Sequence, residues 1–399
     1  MRLWQKELAD NQLLWRQVIL WAVSRRVYIR GSIDGPLALV AELCPSRECN
    51  DDKEWSRVWL AGDILLEIGL NRAERSELGK ELLPRVQTRL KELLEQSRLI
   101  PRERAEAGDT LAKLGDPREG VTTDLLFCEI PAGKFIMGSS KKNDKDAYDD
   151  EEPQFEYNIK QNYFISRYPV TNAQFDLFAA DPEGYTNGKW YTDSGKEWLK
   201  RAKQDKPPKS GGAFDLPNHP IVNVTWYEAV AYTRWLTDKM RNENIALKLW
   251  DKDSIKNISL DLATWEARLP TEVEWEKATR GEKGLRYPWG DEFDQEKVNN
   301  NMIIGSTSAV GCFPGGQSPH GLLDMSGNVW EWCATQWTEN YENYGKNEKN
   351  NLDGGAPRVA RGGAFFGNEW LVRCACRYGY SPGNRYNNQG FRVVVSPFF

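Results

Sequence analysis

Cys374 and Cys376 stand two positions apart near the end of the chain, separated by Ala375. On a strand they would share a face. Such a pair of thiols can hold a soft metal, and two small apolar-packing cysteines can equally fill a core. Around them, from Gly362 to Val394, runs GGAFFGNEWLVRCACRYGYSPGNRYNNQGFRVV, with Glu369 its one acidic residue. Tyr378, Tyr380 and Tyr386 are rigid, amphipathic contact residues. Gly379, Gly383, Asn387 and Asn388 are small or adaptable, and Phe366, Gly367 and Leu371 complete a rim, with Cys376 counted among the candidate contacts. Tyrosine mixed with Gly, Ser and Asn is the composition of antibody-like binding surfaces. A Gly/Asn-rich loop stapled by Arg373, Arg377 and Arg385 explains the same residues without a ligand. The chain holds only two histidines, His219 and His320. Mechanisms and metal sites that need a histidine cluster are therefore excluded. There is no Gly-rich phosphate loop, no CxxC pair and no plausible Ser/His/Asp set.

These residues belong to a chain of 399 residues with net charge -5, long enough for two or three domains. Its charge is spread along the chain, which argues against nucleic acid as a partner. No run is apolar enough to span a membrane, and Glu7 and Asp10 interrupt any signal-peptide core. Seven cysteines without regular spacing fit a reduced, cytoplasmic location.

Two regions position the candidate residues. Residues 1–118 read as a helical, HEAT-like array, with Leu14, Val18, Trp21 and Ala22 on one apolar face of the first helix. Residues 119–399 read as an α+β domain. LLFCEIPAGKFIMGS predicts a strand pair. Thr171 with Gln174, Thr225 with Glu228, and Thr271 with Glu274 predict three helices opened by capping boxes. The polar segments 139–154 and 339–355 read as exposed loops.

Eight ordered motifs carry a family resemblance: IPAGKFIMGS, YPVTNAQF, HPIVNVTWYEAVAYTRWL, RLPTEVEWEKATRG, YPWGD, GLLDMSGNVWEW, RVARGGAF and GFRVV. Over about residues 124–395 the chain resembles the formylglycine-generating enzyme/sulfatase-modifying factor domain, a variant of the C-type lectin fold. The resemblance implies small mixed sheets, two main helices and long loops. The family's oxidases place a copper-binding cysteine pair shortly after the motif that here reads RVARGGAF. Phe366 to Leu371 occupy that place, so the resemblance implies a domain without this chemistry, with no copper or nucleotide. The alternative is a displaced oxidase using Cys374 and Cys376. The family's sulfoxide-forming iron oxygenases need a histidine triad, and no histidine precedes His219.

The resemblance also implies a structural calcium held by the Asp324 and Glu331 side chains and the Gly327 and Val329 carbonyls. The other reading is that both carboxylates hydrogen-bond loop amides. The last forty residues resemble the variable proteins of diversity-generating retroelements. There, Asn codons are rewritten at their adenines, which cannot yield Lys, Gln, Glu, Met or Trp. From Phe365 to Asn388 only Glu369 and Trp370 fall in that forbidden set. The expected function is thus recognition of a protein or other macromolecule by a variable C-terminal surface. A purely structural or assembly domain is the third reading. The N-terminal helices resemble the segment that follows nucleotide-binding modules in STAND-type NTPases, which implies a signalling assembly as partner.

Overall fold

The computed structural model describes residues 12–252, 254–261 and 263–397. The chain falls into two compact units, Met1–Arg118 and Glu119–Phe399. Among the described residues no helix is long and apolar enough to cross a membrane.

The first unit is helical: α1 (Gln12–Arg30), α2 (Asp34–Leu43), α3 (Asp52–Ile68), the single turn α4 (Leu70–Ala73), α5 (Glu77–Glu95) and α6 (Pro101–Leu114). Helix α3 is its axis. It buries Trp55, Val58, Leu60, Ala61, Ile64, Leu65 and Ile68 and packs against α1, α2, α5 and α6. The Asp51 carboxylate caps it by accepting the Glu54 amide at 2.9 Å. In α1 the expected apolar face is displaced by one position. Ile19, Val23 and Val27 are buried at i, i+4, i+8, whereas Val18 is exposed and Trp21 is 67% exposed. Both stripes are apolar, and the partner helices select the β-branched one. The Leu14 side chain lies outside what is described.

The second unit is α+β. A six-stranded sheet runs in the order β6-β5-β1-β4-β12-β7, built from β1 (Leu126–Ile130), β4 (Tyr163–Ser166), β5 (Leu247–Asp251), β6 (Ser254–Ile258), β7 (Trp265–Arg268) and β12 (Val394–Pro397). A four-stranded sheet runs β10-β9-β8-β11, from β8 (Trp330–Gln336), β9 (Arg358–Arg361), β10 (Arg377–Tyr380) and β11 (Gln389–Gly390). Strands β2 (Gly133–Met137) and β3 (Phe155–Ile159) pair separately. The expected strand pair within LLFCEIPAGKFIMGS is therefore corrected. Its halves form β1 and β2, but they go to different sheets, because the Pro131 corner turns the chain between them.

Helices α7 (Asn172–Ala180), α8 (Asp193–Ala202), α9 (Trp226–Asn242) and α10 (Glu272–Arg280) complete the unit. α7, α9 and α10 each open with both halves of a capping box. The core is aromatic, with its indole N–H groups satisfied internally. Trp226 Nε1 donates to the Cys333 carbonyl at 2.9 Å, and Trp332 Nε1 to the Val224 carbonyl at 3.0 Å.

Buried arginine–glutamate pairs tie sheets, helices and loops together. Arg392 grips Glu331 with two bonds of 2.6 Å, and Arg268 grips Glu274 at 2.7 and 2.6 Å. Arg377 holds Glu272 at 2.7 and 3.0 Å, and Arg361 pairs with Glu276. The two segments expected as exposed loops are largely that, and each is anchored by a few buried residues. Glu151 is fully buried against Arg373 at 2.6 and 2.7 Å. Tyr341 and Tyr344 are buried and donate to Glu272 at 3.0 and 3.1 Å. Polar composition predicts the exposed residues but not these anchors, whose partners are distant in sequence.

Removing one member of such a pair strands a buried charge. Arg392→Met is expected to cost about 3–5 kcal/mol in urea unfolding, and the double variant Arg392→Met/Glu331→Leu to recover a large part of it.

Candidate functional site

Strand β10 alternates between two environments. Arg377 and Gly379 face inward. Arg377 reaches Glu272, and a Cβ on Gly379 would sit 2.6 Å from the Trp337 ring, so only glycine fits. Tyr378 and Tyr380 face the other way, on the side where Trp330 and Trp332 of β8, in the same sheet, stand at 6.2 and 6.1 Å. The Tyr378 and Tyr380 rings are 4.7 Å apart, and Tyr386 continues the row 5.2 Å from Tyr380. Tyr378 is 52% exposed and Tyr386 39%. Burial pushes the half-buried Tyr380 phenol up to about 12, with smaller contributions from its two tyrosine neighbours. The Tyr380 hydroxyl is therefore held neutral at physiological pH.

The loop carrying Tyr386 is pinned from below. The Tyr386 carbonyl accepts the Asn223 amide at 2.9 Å, and the Pro382 carbonyl accepts the Trp226 amide at 3.1 Å. Asn384 Nδ2 donates to the Tyr386 hydroxyl at 3.0 Å. Arg385 binds Glu228 at 2.8 Å and lies 5.1 Å over the Trp198 ring. Gly383 passes close by, with room for a Cβ only 3.3 Å from that indole. Arg373, Arg377 and Arg385 are thus staples, while the tyrosines between them are left to solvent. The two readings of this stretch, stapled loop and presented surface, apply to alternate residues of it.

Not every candidate contact is on the surface. Phe366 and Asn387 are exposed; Leu371, Gly379 and Gly383 are half-buried. Cys376, Gly367 and Asn388 are buried, which corrects their assignment as contact residues. Cys376 packs with Trp330, Ala360 and Ala364. Gly367 closes a tight turn onto the Ala364 carbonyl at 2.8 Å, and the Asn388 carbonyl accepts the Trp330 amide at 2.8 Å. Trp370, which was not among the candidates, is exposed beside this rim. Its signal was available: a tryptophan in the Gly-bounded turn between Phe366 and Leu371, outside any apolar period. Gly363 makes that turn possible, with φ +74 and the Leu371 carbonyl 2.5 Å from where a Cβ would be.

Residues 117–397 match the family model described as the sulfatase-modifying factor enzyme 1-like domain. The chain belongs to this family. It is 31% identical over 290 residues to the serine/threonine-protein kinase pkn1 of Chlamydia caviae, an alignment covering 70% of this chain and 40% of that protein. It is 27% identical to the formylglycine-generating enzyme of Thermomonospora curvata over 67% of this chain and 92% of the enzyme. The chain thus spans about 40% of the length of the chlamydial relatives it matches. A solved structure, Treponema denticola variable protein 1, superposes with TM-score 0.44 at 21% identity, covering 68% of this chain and 95% of that one.

In this sulfatase-modifying-factor-like domain the turn after RVARGGAF carries no thiol. Cys374 and Cys376 lie in the following turn, just before β10, and not on a strand. Both are fully buried, and burial raises each thiol to about 12. They are held protonated, the form that neither attacks nor binds a soft metal. All seven cysteines are buried.

The two carboxylates of the implied calcium site are engaged by protein groups. Glu331 accepts two bonds from Arg392 and one of 2.7 Å from Trp275 Nε1, leaving little acceptor capacity beside a positive charge. Asp324 sits at φ +57 and accepts the Gly311 amide at 2.6 Å. Burial raises its carboxyl to about 6, with Glu331 adding to the rise and Arg392 opposing it. A side-chain pair arranged in this way fits loop and arginine anchoring better than a calcium ion.

Two outcomes follow. Asp324 is a raised carboxyl, so its contribution to stability is full below about pH 4 and is lost as pH rises through about 6. In chelator, Asp324→Asn is expected to remove on the order of 1–3 kcal/mol of the decline in unfolding free energy between pH 4 and 7. In the native protein, Cys374 and Cys376 are expected to resist iodoacetamide at pH 8 and to react fully in urea, read by mass spectrometry.

Proposed function

We propose that this domain recognises a macromolecular ligand through the Tyr378–Tyr380–Tyr386 face and carries out no chemistry on it. The observation behind this reading is the tyrosine row itself: three rings in mutual contact, two of them well exposed, on a strand and loop clamped from beneath by buried Arg–Glu pairs. Rings held in this way lose little conformational freedom on binding and bring large contact area. The buried, protonated thiols favour recognition over the oxidase reading.

The face is also read as a diversified one. Phe366, Tyr378, Tyr380, Tyr386 and Asn387 are all residues that an Asn codon yields when rewritten at its adenines. Cys376 and Asn388 belong to the same reachable set but are buried, and the two residues outside it, Glu369 and Trp370, sit at the rim. The helical unit is read as the connection to a nucleotide-driven signalling assembly, with the tyrosine face as its sensor. A reducing, cytoplasmic setting suits seven cysteines without regular spacing.

Sequencing the DNA around the gene tests diversification. The expected finding is a near-copy of the segment encoding Gly362–Val394 beside a reverse transcriptase gene, differing only at adenines and including the Tyr378 and Tyr386 codons. With no such copy, the face would be an invariant one. Recognition is tested separately with binders selected from a random-peptide display library against the full chain. Tyr378→Ala and Tyr386→Ala are expected to change folding stability by less than about 1 kcal/mol while weakening binding at least about tenfold. Selected peptides that bind both variants unchanged would assign recognition elsewhere.

A further inference from the structure

A second site of different character lies in the core of the same unit. Helices α7 and α9 and strands β1 and β5 line a cavity of about 670 Å³, open to solvent on one side and within the size range of small-molecule pockets. Its floor is apolar: Phe127, Tyr232, Trp235 and Leu247 line it and are buried, and Leu177 at its lip is exposed. The Tyr232 ring is locked by aromatic neighbours. It stacks on Phe175 at 5.6 Å and meets Phe391 and Phe178 edge-on at 5.4 and 5.9 Å. Only 2% of the residue is exposed, yet its hydroxyl has no hydrogen-bond partner among the described residues. Tyr163 and Tyr341, also buried, donate to the Glu274 carbonyl at 2.6 Å and to Glu272 at 3.0 Å, whereas the Tyr191 hydroxyl elsewhere in the core is likewise without a partner. Tyr232 differs from Tyr191 in lining the cavity, where its hydroxyl is left to donate to a guest.

We infer that the cavity binds a neutral, largely apolar small molecule carrying one hydrogen-bond acceptor, which the Tyr232 hydroxyl engages. The polar groups around the cavity are already committed. Gln174 donates to the Gly120 and Asp124 carbonyls, each at 3.0 Å, and Trp235 Nε1 donates to Asp181 at 2.9 Å. At the mouth Lys239 pairs with Glu243 at 3.2 Å and Lys248 with Asp124 at 3.0 Å. Asp124, Asp181 and Glu243 against Lys239 and Lys248 make three negative charges against two positive, which disfavours an anionic guest. Tyr232 is left as the one neutral donor at the apolar floor, so the guest must bring the acceptor.

Prodan, a neutral naphthalene ketone whose emission reports its surroundings, is a suitable probe for the full-length chain. The expected result is saturable, blue-shifted emission at one site per chain. Tyr232→Phe, which removes only the hydroxyl and keeps the ring packing, should weaken binding about threefold to tenfold at unchanged melting temperature. Ala180→Trp, which fills the cavity, should abolish it, and Tyr386→Ala, on the separate tyrosine face, should leave it intact. Absence of saturable binding, or binding equally strong in Tyr232→Phe, would overturn the assignment whatever the cavity-filling variant does.

Discussion

The pairing of arginine with glutamate away from water is the constraint on which the α+β unit depends. Helix α10 presents Glu272, Glu274 and Glu276 to three different directions, and Arg377, Arg268 and Arg361 come to meet them from β10, β7 and β9. Glu331 of β8 takes Arg392 from the start of the last strand, and Glu151 takes Arg373 from the loop before β10. Each guanidinium also feeds backbone carbonyls; Arg392 reaches those of Ser166 and Leu323 at 2.8 and 3.1 Å. A unit with many loops and short strands has few ladder bonds with which to satisfy its backbone. Bidentate, charge-assisted bonds supply the missing partners and impose one geometry, because a buried charge out of register is unfavourable by several kcal/mol.

That network explains why the tyrosine row can be both exposed and rigid. The inward residues of the final fifty are those that anchor: Arg373, Arg377, Arg385 and Arg392. Between the anchors the chain is relieved of structural duty. Tyr378 and Tyr380 follow from strand alternation once Arg377 points inward, and Tyr386 follows from a loop whose carbonyls are already bonded to Asn223 and Trp226. Such a division lets outward positions vary in type without disturbing the fold. The thiols on the inner side are sealed by the same packing that holds the face.

The Tyr232 cavity obeys a different rule. Its floor belongs to the aromatic core, where stacking and edge contacts set positions, and its ion pairs are confined to the mouth. A macromolecule-facing surface and a small-molecule cavity can therefore occupy one unit without sharing a residue.

Much was legible in the chain alone, for local reasons. Thr followed three residues later by Gln or Glu names three helix starts, since the capping box is satisfied within four residues. Alternation in RYGY separates the tyrosines from their inward neighbours. What tertiary structure alone decided concerns partners distant in sequence. No local pattern tells that β1 and β2 join different sheets, or that Ile19, Val23 and Val27 rather than Val18 and Trp21 face inward. Nor does any local pattern bury Glu151 beneath Arg373, 222 residues away, or commit Glu331 to Arg392. Cys376, Gly367 and Asn388 are buried because of what packs over them, and the Tyr232 hydroxyl lacks a partner because four elements meet around it. Propensity and capping act within a few residues and are written in the sequence. Burial and charge pairing depend on which distant segments arrive together, and only the folded chain determines that.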